Sequence, residues 1–207
     1  MRATRMYGYK QPLVLEEIET PNISLTQVLV RVGGAGMCRS DVQLIDGYFQ
    51  DAIKPTFPIT PGHEIAGSVE AIGSNVPETA KLAVGDQVVV AAGWGDGICR
   101  QCRLGNEQIC EHGSWPGFGP PGGYAEFVAV PYRQLIRLEK RMKWEELAPL
   151  DRCGSNTIPR DQEAACSRCA GTGSSDGCLW SKRTRQLRSA IRQVVVLGRY
   201  RCGVRSK

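Results

Sequence analysis

Apolar positions in the first 150 residues fall into short runs rich in Val, Ile and Leu, each bounded by Gly or Pro. The runs at 13–18, 28–32, 65–72, 86–92 and 124–130 predict strands. Strands this short, joined by turns, predict a compact, mainly β and mostly antiparallel domain over residues 1–150. Val28-Leu29-Val30-Arg31-Val32 alternates weakly and then enters Gly33-Gly34-Ala35-Gly36, where small residues let the backbone turn or pack closely. Cys38 follows and opens a short helix through Asp41 to Leu44. Trp144 to Leu150 predicts another short helix, a connector into whatever follows.

Beyond Leu150 the pattern fails. Among the 57 residues from 151 to 207, nine are Ile, Leu, Val, Met or Phe, too few to bury a core in a strongly charged segment. Only Ile191 to Leu197 has strand character. Residues 151–207 therefore read as a second unit, a largely unstructured tail rich in Arg, Cys and Ser.

Charge follows the same division. Residues 1–150 hold 14 Lys/Arg and 17 Asp/Glu, net −3, whereas 151–207 hold 12 and 4, net +8, so the chain's overall +5 resides in the tail. Tail arginines such as Arg183, Arg185 and Arg188, near Trp180 and Tyr200, would be the place for nucleic acid. The expectation is nevertheless that no nucleic acid is bound. The N-terminus has no apolar signal core, and no run approaches a membrane span. These features predict a cytoplasmic protein without a membrane partner, in which nine cysteines serve as metal ligands or free thiols.

Two constellations carry chemistry. Cys38-Arg39-Ser40-Asp41 and Gly62-His63-Glu64 supply a thiolate and an imidazole from separate segments. A catalytic zinc needs about three protein ligands and one open position. Each residue alone is also compatible with ordinary burial, a buried Cys as a small hydrophobe and Ser40 as a helix N-cap. The second constellation is Cys99-x2-Cys102-x7-Cys110 with Asp96 three residues before Cys99. Four ligands close a tetrahedral structural zinc. Asp96 keeps the three-residue step and His112 competes for the fourth place; free thiols are the plain alternative. Tyr48, Trp94 and Trp115 suit either the wall of an apolar pocket or core filling.

In this order, together with Gly122-Gly123-Tyr124-Ala125-Glu126-Phe127-Val128 and Val130-Pro131, these segments resemble the zinc-dependent medium-chain alcohol dehydrogenases over residues 1–150. The resemblance implies a GroES-like, partly open β-barrel catalytic domain with short helices, followed in the family by a Rossmann domain for NAD or NADP. It implies reversible oxidation of an alcohol to an aldehyde or ketone with hydride transfer to NAD(P), and a homo-oligomer in the intact family. Cys38 and His63 would bind the catalytic zinc, with Glu64 as alternative ligand or adjacent carboxylate, and Asp41 would orient the ligand histidine. Ser40 would begin the proton relay and Arg39 would meet the coenzyme pyrophosphate. Asp96, Cys99, Cys102 and Cys110 would hold the structural zinc, although many relatives carry Cys where Asp96 stands.

The family places its third catalytic-zinc ligand just after the connector, in a segment like Thr-Asp-Ala-Gly-Leu-Thr-Pro-Tyr. Here Asp151-Arg152-Cys153-Gly154 stands instead. Codons permitted for Asp151 onward spell the family segment when read one base later. Those for Asp176 to Gln193 spell a strand and glycine-rich turn, with the single Trp180 codon forcing the first glycine. One inserted base near codon 151 would account for both, and the gene's nucleotide sequence decides it. In the chain as written, Asp151 or Cys153 would be the only nearby substitutes, and Cys166-x2-Cys169 with Cys153 and Cys178 matches no zinc spacing. The chain is thus expected to be truncated and inactive, without its coenzyme site. A zinc-stabilised β interaction module without catalysis is the other reading.

Overall fold

A computed structural model describes residues 1–148 of the 207-residue chain. The expected boundary at 150, the tail over 151–207 and the readings placed on Asp151, Cys153, Cys166, Cys169, Cys178 and the tail arginines lie outside those residues. Seven strands and three short α-helices occur in the order β1 (Arg2–Arg5), β2 (Val14–Glu17), β3 (Gln27–Gly36), α1 (Arg39–Ile45), β4 (Glu64–Ile72), β5 (Gln87–Val90), α2 (Arg100–Arg103), β6 (Phe127–Pro131), β7 (Leu135–Arg137) and α3 (Trp144–Leu147). The main sheet is antiparallel in the linear order β6-β3-β4-β5-β7, and β1 and β2 form a separate hairpin. Backbone bridges Ala3↔Ala125 and Met6↔Ile59 join the hairpin strand to the rest. The fold is mainly β and GroES-like, as the resemblance implied.

Alternation on the central strands builds the core. Val28 and Val30 of β3 are fully buried and face Val130 and Val128 of β6 in register, while Arg31, the next residue, is exposed and pairs with Glu70. Ile65, Val69, Val88, Val90 and Trp94 complete the cluster. Burying a β-branched side chain contributes roughly 1.5–3 kcal/mol each, and such side chains fit a pleated surface. β3 and β4, of ten and nine residues, are the longest strands of the sheet.

Several expectations move. The strand expected at 28–32 continues through Gly33–Gly36, with register irregularities at Leu29/Val30 and Val32/Gly34. Its glycines make room for another element instead of turning the chain. A Cβ on Gly33 would lie 2.4–2.9 Å from the indole of Trp144. The connector's helix spans Trp144–Leu147, and Leu147 and Ala148 are buried against Ala66 and Val89. Gln87 fastens the same connector by donating to the Met142 carbonyl at 3.1 Å and accepting from its N–H at 2.9 Å. Replacing Gly33 by Ala should therefore expel the Trp144 ring and destabilise the domain by about 1–3 kcal/mol. A lower denaturant midpoint with red-shifted Trp fluorescence is the expected readout; an unchanged midpoint would show that the ring has room to move.

Candidate active site and metal lobe

The β3–β4 ladder ends at Gly36↔Glu64, and the first constellation sits where the two chains part. Cys38 precedes α1, Ser40 is the second helical residue and Asp41 the third, so Ser40 is not the N-cap. An acidic residue at the third position suits a helix start because it answers the backbone N–H groups left unpaired there. Asp41 does this: its Oδ2 accepts from the Cys38 N–H at 2.9 Å. Its Oδ1 lies 3.2 Å from His63 Nδ1, with both side chains about 1% exposed. Ser40 Oγ lies 3.3 Å from the other ring nitrogen, Nε2. Ligand-type atoms of Cys38, His63 and Glu64 all lie within 4.8 Å of one another.

The electrostatics are those of a coupled pair. Burial penalises charge on His63, but the Asp41 carboxylate and the Cys38 thiol outweigh it and hold the imidazole pKa up at about 10. The His63 contact in turn lowers the Cys38 pKa against the opposing effect of burial. Arg39 is exposed at the start of α1. The structure thus brings together Cys38, Ser40, Asp41, His63 and Glu64 from the sequence reading.

The aromatic expectations divide differently. Trp94 fills the core at 6% exposure, its indole N–H donating to the Ala91 carbonyl at 2.8 Å. Tyr48 is 73% exposed and Trp115 46%, so neither is enclosed. The ring beside His63 is Phe118, at 5.3 Å between centroids, and Phe49 stands edge-on to Phe118 at 5.9 Å. Sequence reading missed both. Phe118 carried a signal, since a lone aromatic in Gly117-Phe118-Gly119-Pro120-Pro121 is misplaced in an ordinary solvent-facing turn.

The second constellation occupies a lobe closed at its neck by paired Trp94–Ser114 backbone bonds of 2.8 and 2.9 Å. Ligand-type atoms of Asp96, Cys99, Cys102 and Cys110 lie within 4.8 Å of one another, and Cys99 Sγ is 3.7 Å from Cys110 Sγ. Backbone N–H groups aim at the sulfurs, Asp96 N at Cys110 Sγ and Cys102 N at Cys99 Sγ, each 3.4 Å. His112 is exposed and outside this group. Asp96 Oδ1 accepts from the N–H groups of Ile98 and Cys99 at 2.9 Å each, which holds the carboxyl well below the usual range. Its other oxygen, Oδ2, is buried among the thiols without a hydrogen-bond partner. Burial and the neighbouring thiols push the Cys102 thiol up to about 12. An unpartnered carboxylate oxygen costs free energy, and a cation bound between it and three sulfurs would remove that cost. Both donor sets fit zinc in type and number.

Comparison with known proteins points the same way. Residues 24–140 match the alcohol dehydrogenase GroES-like domain. The NAD-dependent alcohol dehydrogenase of Saccharolobus solfataricus is 38% identical over 170 residues, covering 80% of this chain and 48% of the relative. Among solved structures, the alcohol dehydrogenase of Aeropyrum pernix superposes with a TM-score of 0.68 at 35% identity over 74% of this chain and 45% of that one. The cobalt- and zinc-bound thermostable alcohol dehydrogenase of Pyrobaculum aerophilum gives 0.64 at 35%, over 73% and 44%. The chain spans about half the length of the curated relatives it matches. With the fold, the motif order and this identity in agreement, the chain belongs to the zinc-dependent medium-chain alcohol dehydrogenase family.

Proposed function

We propose that residues 1–148 form the catalytic half of an alcohol dehydrogenase that oxidises an alcohol to an aldehyde or ketone with hydride transfer to NAD or NADP. The observation that carries this reading is the convergence of Cys38, His63 and Glu64 within 4.8 Å, with Ser40 and Asp41 on opposite nitrogens of one imidazole. Cys38 and His63 would hold the catalytic zinc, with Glu64 as alternative ligand or neighbouring carboxylate. Bound there, zinc would supply a Lewis acid that lowers the pKa of a coordinated hydroxyl. Asp41 fixes the imidazole through Nδ1, leaving Nε2 as the nitrogen available to a metal. The Ser40 hydroxyl, beside Nε2, takes the substrate proton and passes it outward. Phe118 and Phe49 present an apolar wall suited to a hydrocarbon substituent. Arg39 would meet the coenzyme pyrophosphate, and Asp96, Cys99, Cys102 and Cys110 would hold the structural zinc.

The sequence from 151 to 207 carries no G-x-G-x-x-G fingerprint of a dinucleotide unit. The purified 207-residue chain is accordingly expected to bind about two zinc ions and to show no NAD(P)-dependent alcohol oxidation. One tightly held zinc would favour a β interaction module instead, and coenzyme-dependent turnover would contradict the inactivity.

Metal uptake should also release protons. With a pKa of about 10, metal-free His63 is an imidazolium at pH 7, whereas a metal binds only the neutral ring. Loading this site at pH 7 should expel at least about one proton per ion, and the His63 contribution should vanish as pH rises through 10. Calorimetric titration in buffers of different ionisation enthalpy measures this; zero net release would overturn the expectation that a charged His63 gives up its proton to the metal.

A further inference from the structure

We infer that Tyr124 is a positioning residue for the proposed catalytic metal site, setting the separation between the segment that bears Cys38 and the segment that bears His63. The inference rests on the reading of Cys38, His63 and Glu64 as metal ligands. Tyr124 is fully buried and takes no part in the chemistry derived above.

Its ring and its hydroxyl touch different segments. Gly62, immediately before His63, has φ +96°, and a Cβ there would lie 2.6–2.9 Å from the Tyr124 ring. The ring therefore packs flush on the backbone that delivers the imidazole. The hydroxyl donates to the Gly36 carbonyl at 3.1 Å, in the segment that leads two residues later to Cys38.

The position matters because β-sheet pairing stops there. Gly36↔Glu64 is the final pair of the β3–β4 ladder, and Cys38 and His63 both lie past it. Nothing in the ladder fixes how far the two ligands stand apart. Three backbone bonds tie Tyr124's own loop to the His63 side: Gly122 N to Thr60 O at 2.7 Å, Gly123 N to Gly62 O at 2.8 Å and Tyr124 N to Pro61 O at 3.0 Å. None of them reaches the Cys38 side. The phenolic hydroxyl makes that crossing to the backbone of β3, beside the Asp41 carboxylate that joins the Cys38 N–H to His63 Nδ1, in a dry environment where a hydrogen bond is directional and its loss is felt.

Tyr124→Phe deletes the hydroxyl's bond to the Gly36 carbonyl together with its approach to the Asp41 carboxylate, and keeps the ring on Gly62. Metal ligands held by supporting hydrogen bonds typically lose 10–100-fold in affinity when the support goes, and because the hydroxyl touches no ligand side chain itself we expect the low end, about tenfold. The test is titration with Co²⁺ of wild-type and Y124F chains whose Asp96–Cys99–Cys102–Cys110 lobe is kept loaded with zinc. The thiolate-to-cobalt band reports Cys38 and the visible d–d bands report geometry. The expected result is full retention of the lobe's zinc, about tenfold weaker cobalt binding, and shifted d–d bands in Y124F. Equal affinity with unshifted bands would overturn the inference. So would loss of both sites together, because the hydroxyl would then be holding the fold and not the site. If the wild-type chain takes up no cobalt with a thiolate band, the metal-site reading itself fails, an outcome separable from any behaviour of Y124F.

Discussion

Replacing Cys102 by serine should abolish the zinc binding proposed for Asp96, Cys99, Cys102 and Cys110 and open residues 96–113 to protease while leaving the β-sheet folded. The expectation follows from what the lobe lacks. Between Gly95 and Trp115 the only buried side chain is Cys102, and Ile98, Leu104 and Ile109 are 58–70% exposed. Without an apolar core, the lobe has only α2, one short 3₁₀ turn at Glu107–Ile109 and its sulfur-directed N–H bonds to oppose the entropy of about 20 ordered residues. Small thiolate zinc sites bind with about 10–16 kcal/mol, which becomes folding free energy wherever the unfolded segment has no preformed site. Losing one of four ligands removes a large part of that. The barrel should survive because its core cluster draws only Trp94 from the lobe's neck. Outside the neck, the lobe is anchored mainly through Glu107, to Arg133 at 3.4 Å and Gln134 at 2.5 Å. Limited trypsin digestion is a sharp reporter, since Arg100 and Arg103 are exposed but lie within α2. Wild type should resist cleavage at both and C102S should be cut at both, with zinc content reduced by about one ion. An unchanged digest together with unchanged zinc would show that the lobe stands without its metal.

The metal lobe was largely legible in the sequence, because Asp96, Cys99, Cys102 and Cys110 are local and their spacing is itself the geometry. The three-residue step already favours Asp96 over His112, and the coordinates leave His112 exposed and Asp96 Oδ2 buried among the thiols. Central strands were legible for a related reason: Val28, Val30, Ile65 and Val69 announce a buried pleat. β1 was not, because Arg2-Ala3-Thr4-Arg5 has no apolar alternation and exists through pairing with residues 14–17 and the Ala125 bridge. The glycine run of β3 leaves a turn and close packing both open, and the coordinates show close packing. Glycine usually marks a turn, but here the missing Cβ at Gly33 is a seat for Trp144, more than 100 residues away in sequence. Phe118 beside His63 and Tyr124 between the two ligand segments are likewise products of tertiary contact, and neither spacing nor residue type fixes where such a ring lands.

Asp41→Asn should weaken metal binding at Cys38 and His63 by about 10–100-fold and collapse the His63 pKa, although it changes a single atom. Asp41 accepts two hydrogen bonds while buried, one from the Cys38 N–H and one at His63 Nδ1. A carboxamide offers one oxygen for these two tasks. If its oxygen keeps the Cys38 N–H, its NH₂ faces His63 and demands an unprotonated Nδ1. The ring proton then moves to Nε2, the nitrogen beside Ser40 that must stay open for a metal. Supporting carboxylates of ligand histidines carry this magnitude of affinity. The metal-free chain gives an independent reading. His63 is raised in the folded state, so its contribution to stability is complete below the unfolded value near 6.5 and is lost as pH climbs through about 10. In D41N the carboxylate no longer opposes burial and only the Cys38 contact is left to do so, so the pKa should fall well short of 10. The stability gap between wild type and D41N should accordingly be widest at or below pH 6.5 and narrow toward pH 10. With two histidines in the sequence, imidazole resonances can be assigned by comparison with a His112→Gln chain. D41A should be harsher, costing about 3–5 kcal/mol in the metal-free chain, because it leaves both the Cys38 N–H and the buried His63 Nδ1 with no Asp41 partner. A D41N chain that retained wild-type metal affinity and a His63 pKa near 10 would mean that Cys38, and not Asp41, governs the ring.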